Sequence, residues 1–212
     1  MITRVTSAAT TANSYLVTEG TEGLLLDASD PEEILRAAGE AGVRPEKILL
    51  THEHVDHIFG LETLRRRFAA PVTATSLCSS RIGNRRENLS VVYDMLVYAY
   101  TGNTSGMRHT PFICAPCEEV FAEEMRLDWH GHTFLLNRCP GHSPGSCVIR
   151  LDEDTVFTGD YLLPDMEVNL TLFGSDPAEY ETVTLPWLRA HLRPGMTVYP
   201  GHGEPYVLRT LP

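Results

Sequence analysis

Three histidines and an aspartate fall within the run Thr51-His52-Glu53-His54-Val55-Asp56-His57. Imidazole nitrogens and carboxylate oxygens at this density suit zinc, iron or manganese. A solvated loop with coincidental histidines is the bland alternative, and the density disfavours it. The run follows Lys47-Ile48-Leu49-Leu50-Thr51, which reads as a buried strand. Side chains alternate along a strand end, so His52 and His54 should point the same way. Asp56 and His57 then fall on the next turn, where they can face a second ion. Three further donors are flanked by glycine: His142 in CPGHSPGSC, Asp160 in FTGDYL and His202 in YPGHGEP. Glycine lets a loop backbone approach an ion closely. The two groups together supply seven ligands, enough for two metals.

The elements that must position these residues alternate along the chain. Residues 14–18 and 23–27 read as a hairpin around a Glu-Gly turn. Asp30 caps a helix with Pro31 at its first position and Glu33 in the capping box, and Gly42 ends it. Gly60 to Phe68 is a second helix, and residues 72–75 begin another strand. Residues 124–139 and 146–158 alternate as antiparallel strands, with turns at 130–132 and 152–154. Asp176-Pro177 starts a further helix that Pro186 should kink or divide, and Thr197 to Pro200 is a last strand. This order predicts an α/β fold with helices outside two sheets. Residues 1–212 read as one domain, and 79–123 break the rhythm as a helical insertion. From Leu89 to Tyr100 only Ser90 and Asp94 are polar, so this helix is expected to be a lid over a pocket or a homodimer contact.

Composition narrows the partners. The 212 residues carry 17 Lys+Arg against 28 Asp+Glu, a net charge of −11, which argues against a nucleic-acid binder held by phosphate contacts. No apolar run approaches the length of a membrane span, and no signal peptide is visible. Five cysteines are an odd number in a chain too long for a disulfide scaffold, so the expected compartment is a reducing cytoplasm.

The set HxHxDH, His142, Gly159-Asp160 and Gly201-His202-Gly203 resembles the metallo-β-lactamase-fold hydrolase superfamily. The segment Asn13-Ser14-Tyr15-Leu16-Val17 and the strand ending at Asp27 resemble that family's first hairpin. The resemblance implies an αββα sandwich of two mixed sheets. It also implies one ion held by His52, His54 and His142, a second held by Asp56, His57 and His202, and Asp160 bridging both. Two divalent ions are then the expected cofactors, zinc foremost, with iron or manganese as options. Two cations about 3.5–4 Å apart lower the pKa of a shared water and polarise a carbonyl, so no Ser or Cys nucleophile is needed. Asp56 would help orient the bridging hydroxide, which makes Asp56 and Asp160 the expected catalytic carboxylates.

Within the superfamily the chain looks most like the glyoxalase II-related branch, whose members often cleave thioesters. Ser143 stands where that branch usually has Thr. Tyr161-Leu162-Leu163-Pro164 follows Asp160 where glutathione-handling members carry a Cys-Gly-Arg type segment. The helical domain that completes their thiol pocket has no counterpart in these residues, so the 79–123 insertion is expected to build the pocket. Tyr161 is a candidate for the oxyanion or equally for the core, and Arg81, Arg85 and Arg86 are candidates for gripping an anionic carrier, against a solvated basic turn. Cys114 and Cys117 invite a zinc site with His130 and His132, against a spacing that does not fit.

The expected activity is hydrolysis of a thioester, ester or lactone carbonyl in a small-molecule or carrier-linked acyl substrate. One rival is a mononuclear Fe(II) oxygenase of the persulfide-dioxygenase type, with His52, His142 and Asp160 on the iron. Another is an acyl-homoserine-lactone lactonase, and a third is a metal-binding module without turnover.

Overall fold

The computed structural model describes residues 1–102, 109–164 and 166–212. The first sheet runs β1 (Ile2–Thr6), β2 (Asn13–Glu19), β3 (Glu22–Leu26), β4 (Arg44–Leu49), β5 (Val72–Thr75) and β6 (Glu119–Phe121), in that spatial order. Its first two pairings are antiparallel and the other three parallel. The second sheet holds β7 (Glu124–Trp129), β8 (His132–Arg138), β9 (Cys147–Leu151), β10 (Thr155–Gly159), β11 (Thr197–Pro200) and β12 (Tyr206–Val207). Only β10 and β11 pair in parallel there.

Strands apolar on both faces must be covered on both, and alternation decides which layer each side chain joins. Leu24 and Leu26 of β3 pack with Phe134, Ile149 and Phe157 between the sheets. Leu25, between them in sequence, packs the other way, with Ile34 of α1 (Pro31–Ala41) and with Leu61 and Leu64 of α3 (Leu61–Phe68). On the second sheet, Val148 and Val156 turn outward toward Leu188 of α7 (Leu185–His191). The result is the αββα sandwich that the sequence predicts.

Local chemistry sets the helix ends. The Asp30 carboxylate accepts from the Glu33 N–H at 3.2 Å, and Gly42 closes α1 in the left-handed region at φ 65°. A cap of this kind contributes about 1 kcal/mol. Pro186 does not divide its helix but is accommodated by a local widening of the turn before it. α6 (Pro177–Glu179), a π turn (Tyr180–Thr184) and α7 run without interruption, and the Leu185 N–H reaches back five residues to the Tyr180 carbonyl. The wider turn removes the clash between a proline ring and the carbonyl four residues before it.

The 79–123 segment differs from the helical insertion expected. α4 (Ser76–Arg81) starts before it, and its helical parts are a short 3₁₀ turn (Ser90–Val92) and α5 (Tyr93–Thr101). Residues 103–108 lie outside the described residues. Its last residues form β6, which adds in parallel to β5 and is tied down by Glu119, paired to Lys47 at 2.5 Å. A three-residue edge strand carries too little periodicity to be seen in sequence. The outer face of this region shows Val91, Met95 and Tyr98 to solvent, and Tyr93 and Val97 face inward.

Candidate metal centre

The seven residues arrive from four loops at one edge of the sandwich. His52, His54, Asp56 and His57 follow β4, with α2 (Val55–Ile58) carrying the last two. His142 lies in the β8–β9 loop, Asp160 follows β10 and His202 follows β11. None is more than 6% exposed. Seven buried ionisable side chains would cost the fold heavily unless they were paired or ligating.

Three overlapping sets could each hold an ion, their ligand atoms all within 4.8 Å: His52–His54–His142, His52–His57–Asp160 and Asp56–His57–His202. Asp160 spans them. Its Oδ1 lies 3.2 Å from His57 Nε2, while its Oδ2 lies 3.4 Å from His142 Nε2 and 3.7 Å from His202 Nε2. Asp56 Oδ2 is 3.4 Å from His202 Nε2, and His142 Nε2 meets His54 Nδ1 at 2.9 Å.

Four of the five imidazoles are turned by a partner on the far nitrogen; the fifth, His54, faces His142 through Nδ1. His142 Nδ1–H donates to the Asn169 carbonyl at 2.9 Å, and His57 Nδ1–H to Asp27 Oδ2 at 2.9 Å. Thr51 Oγ1 lies 3.0 Å from His52 Nδ1 and donates to Asp27 Oδ2 at 2.7 Å. His202 Nδ1 meets Thr11 Oγ1 at 3.0 Å. Nε2 of His52, His54, His57 and His202, together with Asp160 Oδ1, is left buried without a hydrogen-bond partner. Orphaned donor atoms grouped within these ligand sets fit divalent ions.

The electrostatics agree. Burial would raise the Asp160 carboxyl, but the His202, His57 and His142 imidazoles outweigh it and hold the group well below the carboxylate range. Burial likewise opposes ionisation of Asp56, and His57 and His202 hold its pKa below the usual value. Burial, then neighbouring imidazoles, push His52 and His54 well below the ordinary histidine value, so both are neutral and able to ligate. His57 goes the other way. Burial lowers it, but Asp160 and Asp56 together raise it well above the usual value.

The His142 loop is held along its backbone. Tyr161 O–H donates to the Cys139 carbonyl at 2.7 Å, Thr184 Oγ1–H donates to Pro140, the Asp176 N–H reaches Gly141 at 2.8 Å, and Ser175 Oγ–H reaches the His142 carbonyl at 2.8 Å. Tyr161 Oη also accepts from the His142 N–H at 3.0 Å. Tyr161 is therefore not an oxyanion donor. It is buried, and its hydroxyl is committed on both sides to positioning His142.

Of the three arginines, Arg81 is already committed within the protein. Arg81 turns inward, with Nε 2.6 Å from Glu53 Oε1 and Nη1 3.3 Å from Glu87. Glu53, between the two histidines of the motif, also accepts from Ser143 Oγ at 2.9 Å and so ties the His52–His54 loop to the His142 loop. Arg85 and Arg86 are exposed, Arg86 lying 4.5 Å over the Phe173 ring.

The structure does not bring Cys114 and Cys117 together with His130 and His132. The cysteines pack into the core beneath the first sheet, whereas His130 pairs with Glu46 and His132 with Asp152. Burial pushes the Cys114 and Cys117 thiols up to about 12 and about 11, so neither is a thiolate near neutral pH. Asp27, Thr51 and Glu53 are the residues that motif spacing missed as parts of the centre. Asp27 was visible only as the end of an apolar strand.

Residues 8–202 match the family model described as the Metallo-beta-lactamase superfamily. A hydroxyacylglutathione hydrolase of Anaeromyxobacter dehalogenans is 30% identical over 190 residues, covering 89% of this chain; the chain spans 60% of that relative's length. The crystal structure of TTHA1623 in a di-iron-bound form has 30% identity and a TM-score of 0.73, covering 97% of this chain and 94% of its own. That of the BLEG-1 B3 metallo-beta-lactamase has 26% identity and a TM-score of 0.78, over 98% and 94% of the two chains.

Proposed function

Because the chain belongs to the metallo-beta-lactamase superfamily, we propose that it is a dinuclear metallohydrolase that cleaves the carbonyl of a thioester, ester or lactone, a thioester foremost. The observation that carries this reading is the Asp160 carboxylate, whose two oxygens face different members of the ligand set, His57 on one side and His142 and His202 on the other. His52, His54 and His142 would hold one ion, Asp56, His57 and His202 the second, and Asp160 both. Zinc is the proposed metal, with iron or manganese compatible with the same donors. When bound, the pair supplies an acidified water and a Lewis acid for a carbonyl oxygen.

The chain's own residues do the rest. Asp56 and Asp160 enter the centre ionised and would offset the cationic charge gathered there. Asp27 and Asn169 fix the imidazole tautomers. The thioester preference is supported by the hydroxyacylglutathione hydrolase likeness, while the carrier differs from glutathione in this reading, because Tyr161-Leu162-Leu163-Pro164 replaces the Cys-Gly-Arg type segment. A small acyl substrate in a reducing cytoplasm is the proposed setting, in keeping with five free thiols.

A panel of acyl thioesters, aryl esters and γ-lactones, assayed on metal-loaded protein, tests this proposal. The expected outcome is turnover of carbonyl substrates with the highest kcat/KM on thioesters. No hydrolysis of any class with the metals in place would overturn it.

A further inference from the structure

α5 packs against several of the segments that carry or orient a ligand. Its Tyr93 and Val97 cluster with Val55, next to Asp56, and Tyr93 stacks on Phe59 at 4.9 Å between centroids and 11° between planes. Ala9 packs on the same cluster from the loop that holds Thr11, the partner of His202. Leu172 joins from the loop that holds Asn169, the partner of His142. At the last turn of α5 the Tyr100 ring lies flat over the His202 imidazole, 4.7 Å between centroids and 19° between planes. Tyr100 is half-buried, and its hydroxyl has no hydrogen-bond partner among the described residues.

We propose that Tyr100 contacts the substrate and sets its specificity, selecting an apolar, preferably flat acyl group over a short one. The inference rests on the hydrolase reading above and names the substrate class that reading left open. A ring laid flat on the His202 imidazole presents an apolar face beside the unpartnered Nε2 of that ligand. A carbonyl held beside that nitrogen places its substituent against this face. Aromatic rings reward flat apolar partners there, and a small polar group gains nothing from them.

The test uses metal-loaded wild type, Tyr100→Phe, Tyr100→Leu and Tyr100→Ala. Two readouts are independent of turnover: metal ions per chain, and calorimetric affinity for phenylacetate against acetate, which stand for acyl products of different size. Wild type and Tyr100→Phe are expected to prefer phenylacetate. Tyr100→Ala is expected to lose that preference by roughly tenfold with metal content unchanged. Tyr100→Leu keeps apolar bulk without the ring and is expected to fall between them, and it reads the same contrast if the alanine variant does not fold. An unchanged preference in Tyr100→Ala and Tyr100→Leu would overturn the proposal. So would loss of a metal ion in these variants, which would make the stack a support for His202 alone. A wild-type protein with the preference but without hydrolysis would remove the hydrolase reading and leave the assignment of Tyr100 intact.

Discussion

Asp160→Ala is expected to hold no more than one metal ion per chain and to lose carbonyl hydrolysis by well over ~10²-fold. Outer partners of metal ligands alone are worth about 10–100-fold, and Asp160 is no outer partner. Its oxygens lie 3.2 Å from His57 Nε2 and 3.4 Å from His142 Nε2, and its Oδ1 has no other partner. Removal also takes away the carboxylate that keeps His57 well above the ordinary histidine value, so the buried imidazoles face one another with Asp56 as their main counter-charge. Asp160→Asn separates charge from shape. It fills the same volume and should show nearly the same metal loss, because the lost donor is anionic oxygen. Elemental analysis after dialysis against excess zinc checks both variants. Two ions retained in Asp160→Ala would contradict the shared role.

The second large effect is expected one layer out. Asp27→Asn should weaken metal binding by about 10–100-fold while the chain still folds. Asp27 sits in the left-handed region at φ 57°, which asparagine tolerates well, so the substitution adds no backbone strain. The chemistry changes sharply. Asp27 accepts the Thr51 N–H at 2.7 Å, the Thr51 Oγ1–H at 2.7 Å and His57 Nδ1–H at 2.9 Å. An amide offers one oxygen and an N–H to three donors, so a donor must face a donor. Whichever way the amide turns, its N–H faces either the Thr51 N–H or the His57 Nδ1–H and Thr51 hydroxyl, so the shared support of the His52 and His57 rings is weakened. Competition with a chromophoric chelator measures the change, with circular dichroism as the folding control. Wild-type affinity in Asp27→Asn would show that the ring orientation is set elsewhere.

Glycine at 201 makes the same point from sterics. A methyl there would collide with Asp160 Oδ1 and lie 2.9 Å from the Gly159 carbonyl carbon. The close approach of two loops at the ion site is therefore built into Gly159-Asp160 and Gly201-His202.

The seven proposed ligands were legible because each rests on local chemistry: a dense run after a strand and three donors beside glycine. The hairpin, α1 with its Asp30 cap and the strands of the second sheet were legible for the same reason, since alternation and capping are short-range. The contacts that orient the ligands were not. Asp27 reaches Thr51 only because β3 and β4 pair in parallel with Leu26 opposite Leu49, and no local signal encodes that register. Tyr161 reads equally as an oxyanion donor or as core because its sequence neighbour is Asp160, while its hydroxyl partners, Cys139 and His142, lie about twenty residues earlier. Arg81 was misread because its partner Glu53 is buried 28 residues away. Pairing across such distances shows only once the sheets are assembled.

The number of metal ions bound per chain, read by elemental mass spectrometry on protein equilibrated with zinc, iron or manganese, tests the central claim most directly. Two sets of ligands sharing Asp160 predict close to two ions per chain with the preferred metal. A plateau at one, iron alone being retained, would contradict the dinuclear hydrolase and favour an oxygenase site built from His52, His142 and Asp160.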